Sequence, residues 1–152
     1  MEELLKIENL SVGIKSPAGK VQAVRDVSLE LHPGEVLAIV GESGCGKSML
    51  CKTIMKLLPK SAKIESGKII ANGVDITDYS DKDMRRLRGK LFSMIFQDPM
   101  TALNPTIPIG KQIAEAVLVH EPKLPKEEVY NRVIELMELV GIQQPHERYK
   151  LY

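Results

Sequence analysis

Two segments near the amino terminus alternate apolar with polar residues. They cover residues 6–14 and 21–31, and valine and leucine take every second position between Val27 and Leu31. A period of two is typical of strands with one buried face. We therefore expect two antiparallel strands here. A type II turn should follow at residues 32–35, because proline presets the first central φ and glycine accepts the positive second one.

Two later apolar runs are continuous rather than alternating. Residues 36–40 read VLAIV and residues 90–96 read KLFSMIF. Continuous runs of this length are typical of strands that are covered on both faces, as in a parallel sheet. The pattern therefore predicts buried strands at residues 35–40 and 90–96. A short strand pair that turns at Asn72-Gly73 is expected between them.

Two helices are predicted in the middle of the chain. The first covers residues 47–58, before a proline, and the second runs through Arg88 after a start at Ser80 and Asp83 that resembles a capping box. The second helix contains the basic run MRRLR. Few aromatic residues lie near it, so we interpret the run as a solvated helix face rather than a nucleic-acid surface.

The last third of the chain has apolar residues at helical spacing. The spacing predicts helices at residues 110–120 and 126–140, with Gly141 as a cap on the second. The buried stripe of this last helix is expected to contain Val129, Val133, Leu136, Met137 and Val140.

Charge and composition exclude several classes of protein. Lysine and arginine number 21 against 20 acidic residues, a net charge of +1, so no global basic field attracts nucleic acid or anionic membrane. No basic segment precedes an apolar one at the amino terminus, and the apolar runs are far shorter than the ~18 residues that span a bilayer. We expect a soluble, cytoplasmic protein that binds no nucleic acid. Cys45 and Cys51 are expected to be reduced thiols.

The strongest chemical signal is GESGCGKS at residues 41–48, which lies between VLAIV and the first predicted helix. It matches G-x-x-x-x-G-K-S, in which glycines allow backbone N–H groups to converge on phosphate oxygens. The amino terminus of the following helix adds partial positive charge. Lys47 is expected to reach the β- and γ-phosphates of a nucleotide, and the Ser48 hydroxyl to ligate Mg²⁺. The predicted nucleotide-binding residues are Gly41, Glu42, Ser43, Gly44, Cys45, Gly46, Lys47, Ser48 and Met49.

The phosphate motif alone does not separate kinases, GTPases and transport ATPases. A GTPase normally carries N-K-x-D, and the nearest match at residues 72–75 lacks the lysine. A small kinase needs a lid rich in arginine, and residues 126–140 offer only Arg132. The sequence therefore favours neither of these two classes.

Residues 93–105, SMIFQDPMTALNP, distinguish the remaining class. Here the sequence resembles the ATP-binding subunits of ABC transporters, and most closely those of bacterial oligopeptide, dipeptide and nickel importers. GESGCGKS corresponds to the Walker A motif, residues 66–77 to the hairpin after the first helix, and MIFQDPMTALNP to the Q-loop. The resemblance runs from about Leu4 to the last residue.

The resemblance implies an α/β fold. Its parts are an incomplete P-loop NTPase (RecA-like) core, an antiparallel β subdomain at the amino terminus, and part of an α-helical subdomain at the carboxyl terminus. Residues 1–152 are then a single partial ABC nucleotide-binding domain. Residues 1–97 hold the β subdomain and P-loop core, and residues 98–152 hold the Q-loop and the start of the helical subdomain.

The resemblance also implies a role for Gln97 and a set of partners. Gln97 is expected at the γ-phosphate, where it touches Mg²⁺ or the attacking water. The Q-loop and helical subdomain are expected to contact transmembrane permease subunits, and a second ATP-binding subunit is expected to pair with the first. The protein would then lie in the cytoplasm, peripheral on the inner face of the cell membrane.

This chain departs from the family pattern in two respects. Its first aromatic residue is Tyr79, so Ile14 or Val21 stands where the family offers a ring to adenine, and an aliphatic contact is weaker. The 152 residues also contain no signature motif, Walker B aspartate, catalytic glutamate or switch histidine. Because these groups anchor the metal and orient water, no catalytic set is complete.

We therefore expect an amino-terminal piece of an importer ATPase that binds nucleotide with little or no hydrolysis. Unpaired sheet edges at VLAIV and KLFSMIF would favour self-association. Two hypotheses stay open for the function. The first is the ATP-binding subunit of an importer for peptides or nickel, which couples ATP binding and hydrolysis to transport. The second is a non-catalytic nucleotide-binding or interaction module from a truncated gene.

Overall fold

A computed structural model describes residues 3–98 and 102–152. The chain divides into two units, Met1–Ser93 and Met94–Tyr152. The first, the amino-terminal unit, contains a four-stranded sheet and two helices, and the second, the carboxy-terminal unit, contains three helices. Part of the predicted Q-loop, residues 99–101, lies outside the described residues.

The sheet of the amino-terminal unit is antiparallel throughout. Its strands are β1 (Leu5–Ser16), β2 (Gly19–Leu31), β3 (Ala62–Ala71) and β4 (Val74–Asp75), in the spatial order β2-β1-β3-β4. The two predicted amino-terminal strands are confirmed, and both extend further toward their connecting turn than the alternation indicated. A longer ladder is possible because only Pro17 and Ala18 separate the two strands.

Both predicted turns of this unit form. Glu35 N–H donates to the His32 carbonyl at 3.1 Å, and Gly34 has a φ of 76°. Asn72 and Gly73 both have positive φ, 46° and 74°, which is the requirement of a two-residue type I′ hairpin. The short strand pair predicted around this turn is therefore confirmed.

Two helices pack their apolar faces into the core of the sheet. They are α1 (Lys47–Ile54) and α2 (Asp81–Leu87), and each contributes one buried apolar residue to the core cluster, Leu50 and Met84. The sheet residues buried in the same cluster are Leu5, Ile7, Leu10, Val12, Val24, Ile69 and Ala71, joined by Ile76.

The capping box predicted for α2 is confirmed. The Ser80 hydroxyl accepts a hydrogen bond from the Asp83 N–H, and the Asp83 carboxylate accepts one from the Ser80 N–H, each at 3.3 Å. These bonds hold the pKa of Asp83 below its usual value, chiefly through the Ser80 hydroxyl, which also donates to the carboxylate. Two of the backbone donors at the start of α2 are thereby satisfied.

The prediction of two buried strands at residues 35–40 and 90–96 is wrong. Residues 35–40 form no strand, and Val36 and Val40 are 93% and 90% exposed. Residues 90 and 91 lie in a turn, Phe92 makes an isolated bridge to Arg88, and residues 93–96 have no regular secondary structure; Ile95 is 98% exposed. A parallel strand forms only where neighbours take up its backbone N–H and C=O groups. In the described part of the chain no segment does this for either run.

The carboxy-terminal unit is a small helical cluster. Its helices are α3 (Ile109–His120), α4 (Lys126–Leu139) and α5 (Pro145–Arg148), the first two close to the predicted positions. The pattern gave no sign of α5, which has four residues. The Tyr149 ring that follows it packs against Gly110, where a Cβ would lie 2.2 Å from the ring.

The stripe predicted for α4 is correct at its centre and wrong at one margin. Val129, Val133 and Met137 are buried, whereas Leu136 and Val140 are 40% and 71% exposed. Ile134, which was not in the predicted stripe, is buried. The buried face is thus centred on Val133 and Met137, about a tenth of a turn from the predicted centre. Gly141, with a φ of 78°, ends this region as predicted.

We predict that Gly67→Ala lowers the free energy of unfolding by about 2–4 kcal/mol. Gly67 has a φ of 92°, and a Cβ there would lie 2.5 Å from the Glu8 carbonyl oxygen of β1. Gly73→Ala is the matched control, since its φ is 74° and no heavy atom lies within 4 Å, so it should cost only about 1 kcal/mol. Urea unfolding measures both, and equal losses would contradict the close approach.

Candidate functional site

The glycine-rich loop is held on strand β2 by a close backbone contact. Gly46 precedes α1 in the left-handed region with a φ of 100°, and a Cβ on it would lie 2.2 Å from the Ala23 carbonyl oxygen. Any side chain would therefore move the loop away from β2. Gly44 also has a positive φ, 84°, but faces open space.

The amino terminus of α1 presents free backbone donors. The Gly46 carbonyl accepts from the Leu50 N–H at 2.9 Å, which closes the first helical turn. Among the residues that the structure describes, none accepts a hydrogen bond from the N–H groups of Lys47, Ser48 or Met49. The first turn also contains no acidic side chain. The positive end of the helix dipole is thus available to an anion.

The Lys47 side chain folds back over the loop. Its ammonium donates to the carbonyl oxygens of Gly41 and Glu42, both at 2.6 Å, and lies 3.4 Å from the Cys45 Sγ. These acceptors are neutral groups of an exposed loop. A phosphate oxygen carries negative charge, so it attracts the ammonium more strongly than a neutral carbonyl does and can replace these acceptors.

The loop forms one wall of a cleft of about 400 Å³. The opposite wall contains Ile14 of β1 and Val21 of β2, the two aliphatic positions expected where the family carries an aromatic ring. No aromatic residue lines the cleft. It is lined by Ile14, Val21, Gln22, Ala23, Gly44, Cys45, Gly46, Lys47, Ser48 and Met49.

The structure therefore brings most of the predicted binding residues together. Residues 44–49 line the cleft, and Gly41 and Glu42 contribute the carbonyl oxygens that hold Lys47. Ser43 is exposed and outside the lining. Gln22 and Ala23 were not predicted from the sequence as part of the cleft. The one hint in the sequence was Gly46, since a glycine at that position allows another backbone segment to approach closely.

The predicted Mg²⁺ ligands belong to different units. The Ser48 hydroxyl is exposed in the first turn of α1 and has no hydrogen bond to a described residue. A hydroxyl oxygen suits Mg²⁺, a hard cation that takes oxygen ligands from protein, substrate phosphates and water. Gln97 is an exposed residue of the carboxy-terminal unit, and its role stays a prediction. Residues 3–98 and 102–152 contain no group of three His, Cys, Asp or Glu side chains suited to a metal.

None of the helices in the described ranges has both the length and the apolar character to cross a bilayer. The longest, α4, has 14 residues.

Comparison with known proteins gives a consistent result. The sequence model described as ABC transporter matches residues 24–151. The dipeptide transport ATP-binding protein DppD of Bacillus subtilis is 51% identical over 153 residues, which is 100% of this chain and 45% of DppD. The oligopeptide transport ATP-binding protein OppD of the same organism is 49% identical, over 95% of this chain and 40% of OppD. The chain thus spans less than half the length of these relatives.

The fold also matches a solved structure. The ATP-binding cassette MJ0796, in a dimeric post-hydrolysis state bound to ADP and Pi, superposes with a TM-score of 0.79 at 20% identity. The match covers 97% of this chain and 60% of that one. It confirms the predicted fold class, and the relatives above confirm the resemblance read from the Walker A and Q-loop segments.

We predict that Gly46→Ala disorders the start of α1 and lowers the free energy of unfolding by about 3 kcal/mol. The alanine Cβ would collide with the Ala23 carbonyl oxygen, and the positive φ of this position also strains any residue other than glycine. Gly44→Ala has a similar φ but open surroundings and should cost about 1 kcal/mol. Denaturant unfolding, with amide exchange of residues 47–54, separates the two variants. Similar effects would show that the loop does not rest on β2.

Proposed function

The chain belongs to the ABC transporter family, and on that premise we propose that residues 41–49 bind the phosphates of MgATP. The observation that carries this proposal lies at the start of α1: the N–H groups of residues 47–49 have no acceptor among the described residues, and the Lys47 ammonium beside them donates to two neutral carbonyls. A polyphosphate supplies the charged acceptors that both groups lack. MJ0796, which has the same fold, was solved with ADP and Pi.

Each part of the loop has a separate role in this proposal. The N–H groups of residues 46–49 donate to phosphate oxygens, and Lys47 leaves the loop carbonyls to reach the β- and γ-phosphates. The Ser48 hydroxyl holds Mg²⁺, which neutralises phosphate charge when it is bound. Gln97 is the second proposed Mg²⁺ ligand. Ile14 and Val21 give adenine an aliphatic surface, so discrimination between bases is weak.

For the whole protein we propose an ATP-binding subunit of an importer. The named transport substrates of the two Bacillus subtilis relatives are dipeptides and oligopeptides, which supports peptides over nickel as the cargo. In this proposal residues 1–97 hold the nucleotide core and residues 98–152 hold the Q-loop and the start of the helical subdomain. The latter contacts permease subunits at the inner face of the membrane, and a second ATP-binding subunit pairs with the first.

We propose that these 152 residues bind nucleotide with little turnover. The sequence contains no signature motif and none of the carboxylates that the family uses for hydrolysis. In phosphoryl transfer such groups anchor the metal and orient the nucleophile, so rate falls by orders of magnitude without them. The apolar residues 36–40 are exposed and pair with no described strand, which adds a tendency to self-association.

Lys47→Met is expected to weaken MgATP binding at least tenfold, because the methionine keeps the apolar stem and removes the charge that meets phosphate. Lys52→Met, in the last turn of the same helix, removes an equal charge away from the cleft and should leave affinity unchanged. Titration calorimetry measures both. Absence of MgATP binding by the folded wild-type chain would refute the proposed function.

Alkylation of the two cysteines tests where the nucleotide binds. Cys45 lines the cleft, whereas Cys51 is exposed on α1 outside it. MgATP is therefore expected to slow the reaction of Cys45 with a maleimide at least fivefold at saturation and to leave Cys51 unaffected. Peptide mass mapping reports each site. Equal protection of both thiols would point to a global change rather than occupancy of the loop.

A further inference from the structure

The carboxyl end of α1 is closed by an unusual version of a common motif. Leu57 N–H donates to the Lys52 carbonyl at 2.8 Å and Lys56 N–H to the Thr53 carbonyl at 3.0 Å, the pair of bonds that defines a Schellman motif. The residue in the left-handed position is Lys56, with a φ of 54°, where glycine is usual. This end explains why the helix stops at Ile54 rather than near residue 58.

A lysine in this conformation costs about 1–2 kcal/mol relative to its preferred region, so other contacts must hold it. One is its own ammonium, which donates to the Thr77 carbonyl in the segment after β4. Burial lowers the pKa of Lys56, and the nearby Asp78 and Asp75 partly oppose that effect.

The second contact is Arg88, the residue that follows α2. Its guanidinium donates to the Met55 carbonyl from Nε at 3.1 Å and from Nη2 at 2.9 Å, and Nη2 also reaches the Lys56 carbonyl at 3.2 Å. Its Nη1 donates to Asp81 at 2.8 Å. The Arg88 side chain is only 21% exposed. The sequence prediction of a solvated basic face is therefore wrong for Arg88, although it holds for the exposed Arg85 and Arg86.

Arg88 thus joins the two helices of the amino-terminal unit at the end of α1 that lies opposite the phosphate loop. Its positive charge lies at the negative end of the helix dipole. Its guanidinium donates hydrogen bonds to carbonyl oxygens that the Schellman bonds do not use. Asp81 fixes the guanidinium from the other side, and the Arg88 hydrogen bond holds the pKa of Asp81 below its usual range.

We propose that Arg88 is a positioning residue for the phosphate site. It anchors the carboxyl end of α1, which has eight residues and turns as one rigid rod of about 12 Å, and so fixes the direction of the amides at its amino end. The proposal deepens the nucleotide-binding function above and rests on it.

The test compares Arg88→Gln and Arg88→Lys with a control, Arg86→Gln, which changes an exposed arginine of α2. Two quantities are measured: the affinity for MgATP, and hydrogen exchange of the Leu50 amide, which closes the first turn of α1, in nucleotide-free protein. Arg88→Gln is expected to weaken MgATP binding about fivefold and to speed Leu50 exchange by a similar factor. Arg88→Lys keeps the charge and a hydrogen-bond donor but loses the planar fork, so it should recover part of both the affinity and the protection of Leu50. Arg86→Gln should match the wild type.

The outcomes separate positioning from bulk stability. A lower melting temperature for Arg88→Gln, with wild-type affinity and wild-type Leu50 exchange, overturns the proposal, since Arg88 would then only stabilise the fold. If Arg88→Gln fails to fold, Arg88→Lys decides the question by the same two measurements. Failure of the wild-type chain to bind MgATP would overturn the proposed function alone. Exchange at Leu50 still reports on the anchoring, because it requires no nucleotide.

Discussion

The close approach of Gly46 to the Ala23 carbonyl is the constraint on which the site depends. It allows the backbone to leave the glycine-rich loop and enter α1 directly against β2. That approach fixes where the helix begins, and hence where the N–H groups that lack a described acceptor lie. The cleft between the loop and the aliphatic wall of Ile14 and Val21 depends on this contact, as does the position of the Lys47 ammonium over the loop.

The helix that begins there is constrained at both ends by different chemistry. Its amino end relies on the absence of side chains, since any Cβ at Gly46 displaces the loop. Its carboxyl end relies on long cationic side chains, because Lys56 and Arg88 hold a conformation that glycine would adopt without help. A site made of backbone amides has little freedom of its own, so its geometry depends on how firmly the surrounding elements hold the helix.

The described sheet consists of β1 to β4, and the two apolar runs at residues 36–40 and 90–96 are not part of it. Residues 36–40 lead into the phosphate loop, and their exposure means that only the β2 contact and α1 constrain the loop in the described structure. Solved cassettes share the fold although this chain covers 60% of the MJ0796 cassette. Family membership and fold class are thus established independently of whether these runs pair.

The sequence by itself determined the antiparallel strands, both turns, the capping box and the phosphate loop, because each depends on neighbouring residues: a period of two, a glycine at positive φ, a hydroxyl three residues before its partner. Tertiary structure alone decided three other features. Residues 35–40 and 90–96 are apolar enough for strands, but a ladder needs distant partners. The buried face of α4 differs from the predicted one because packing against other helices, and not the spacing of apolar residues alone, selects which side is buried. Arg88 caps a helix more than 30 residues away, a contact that no local pattern encodes.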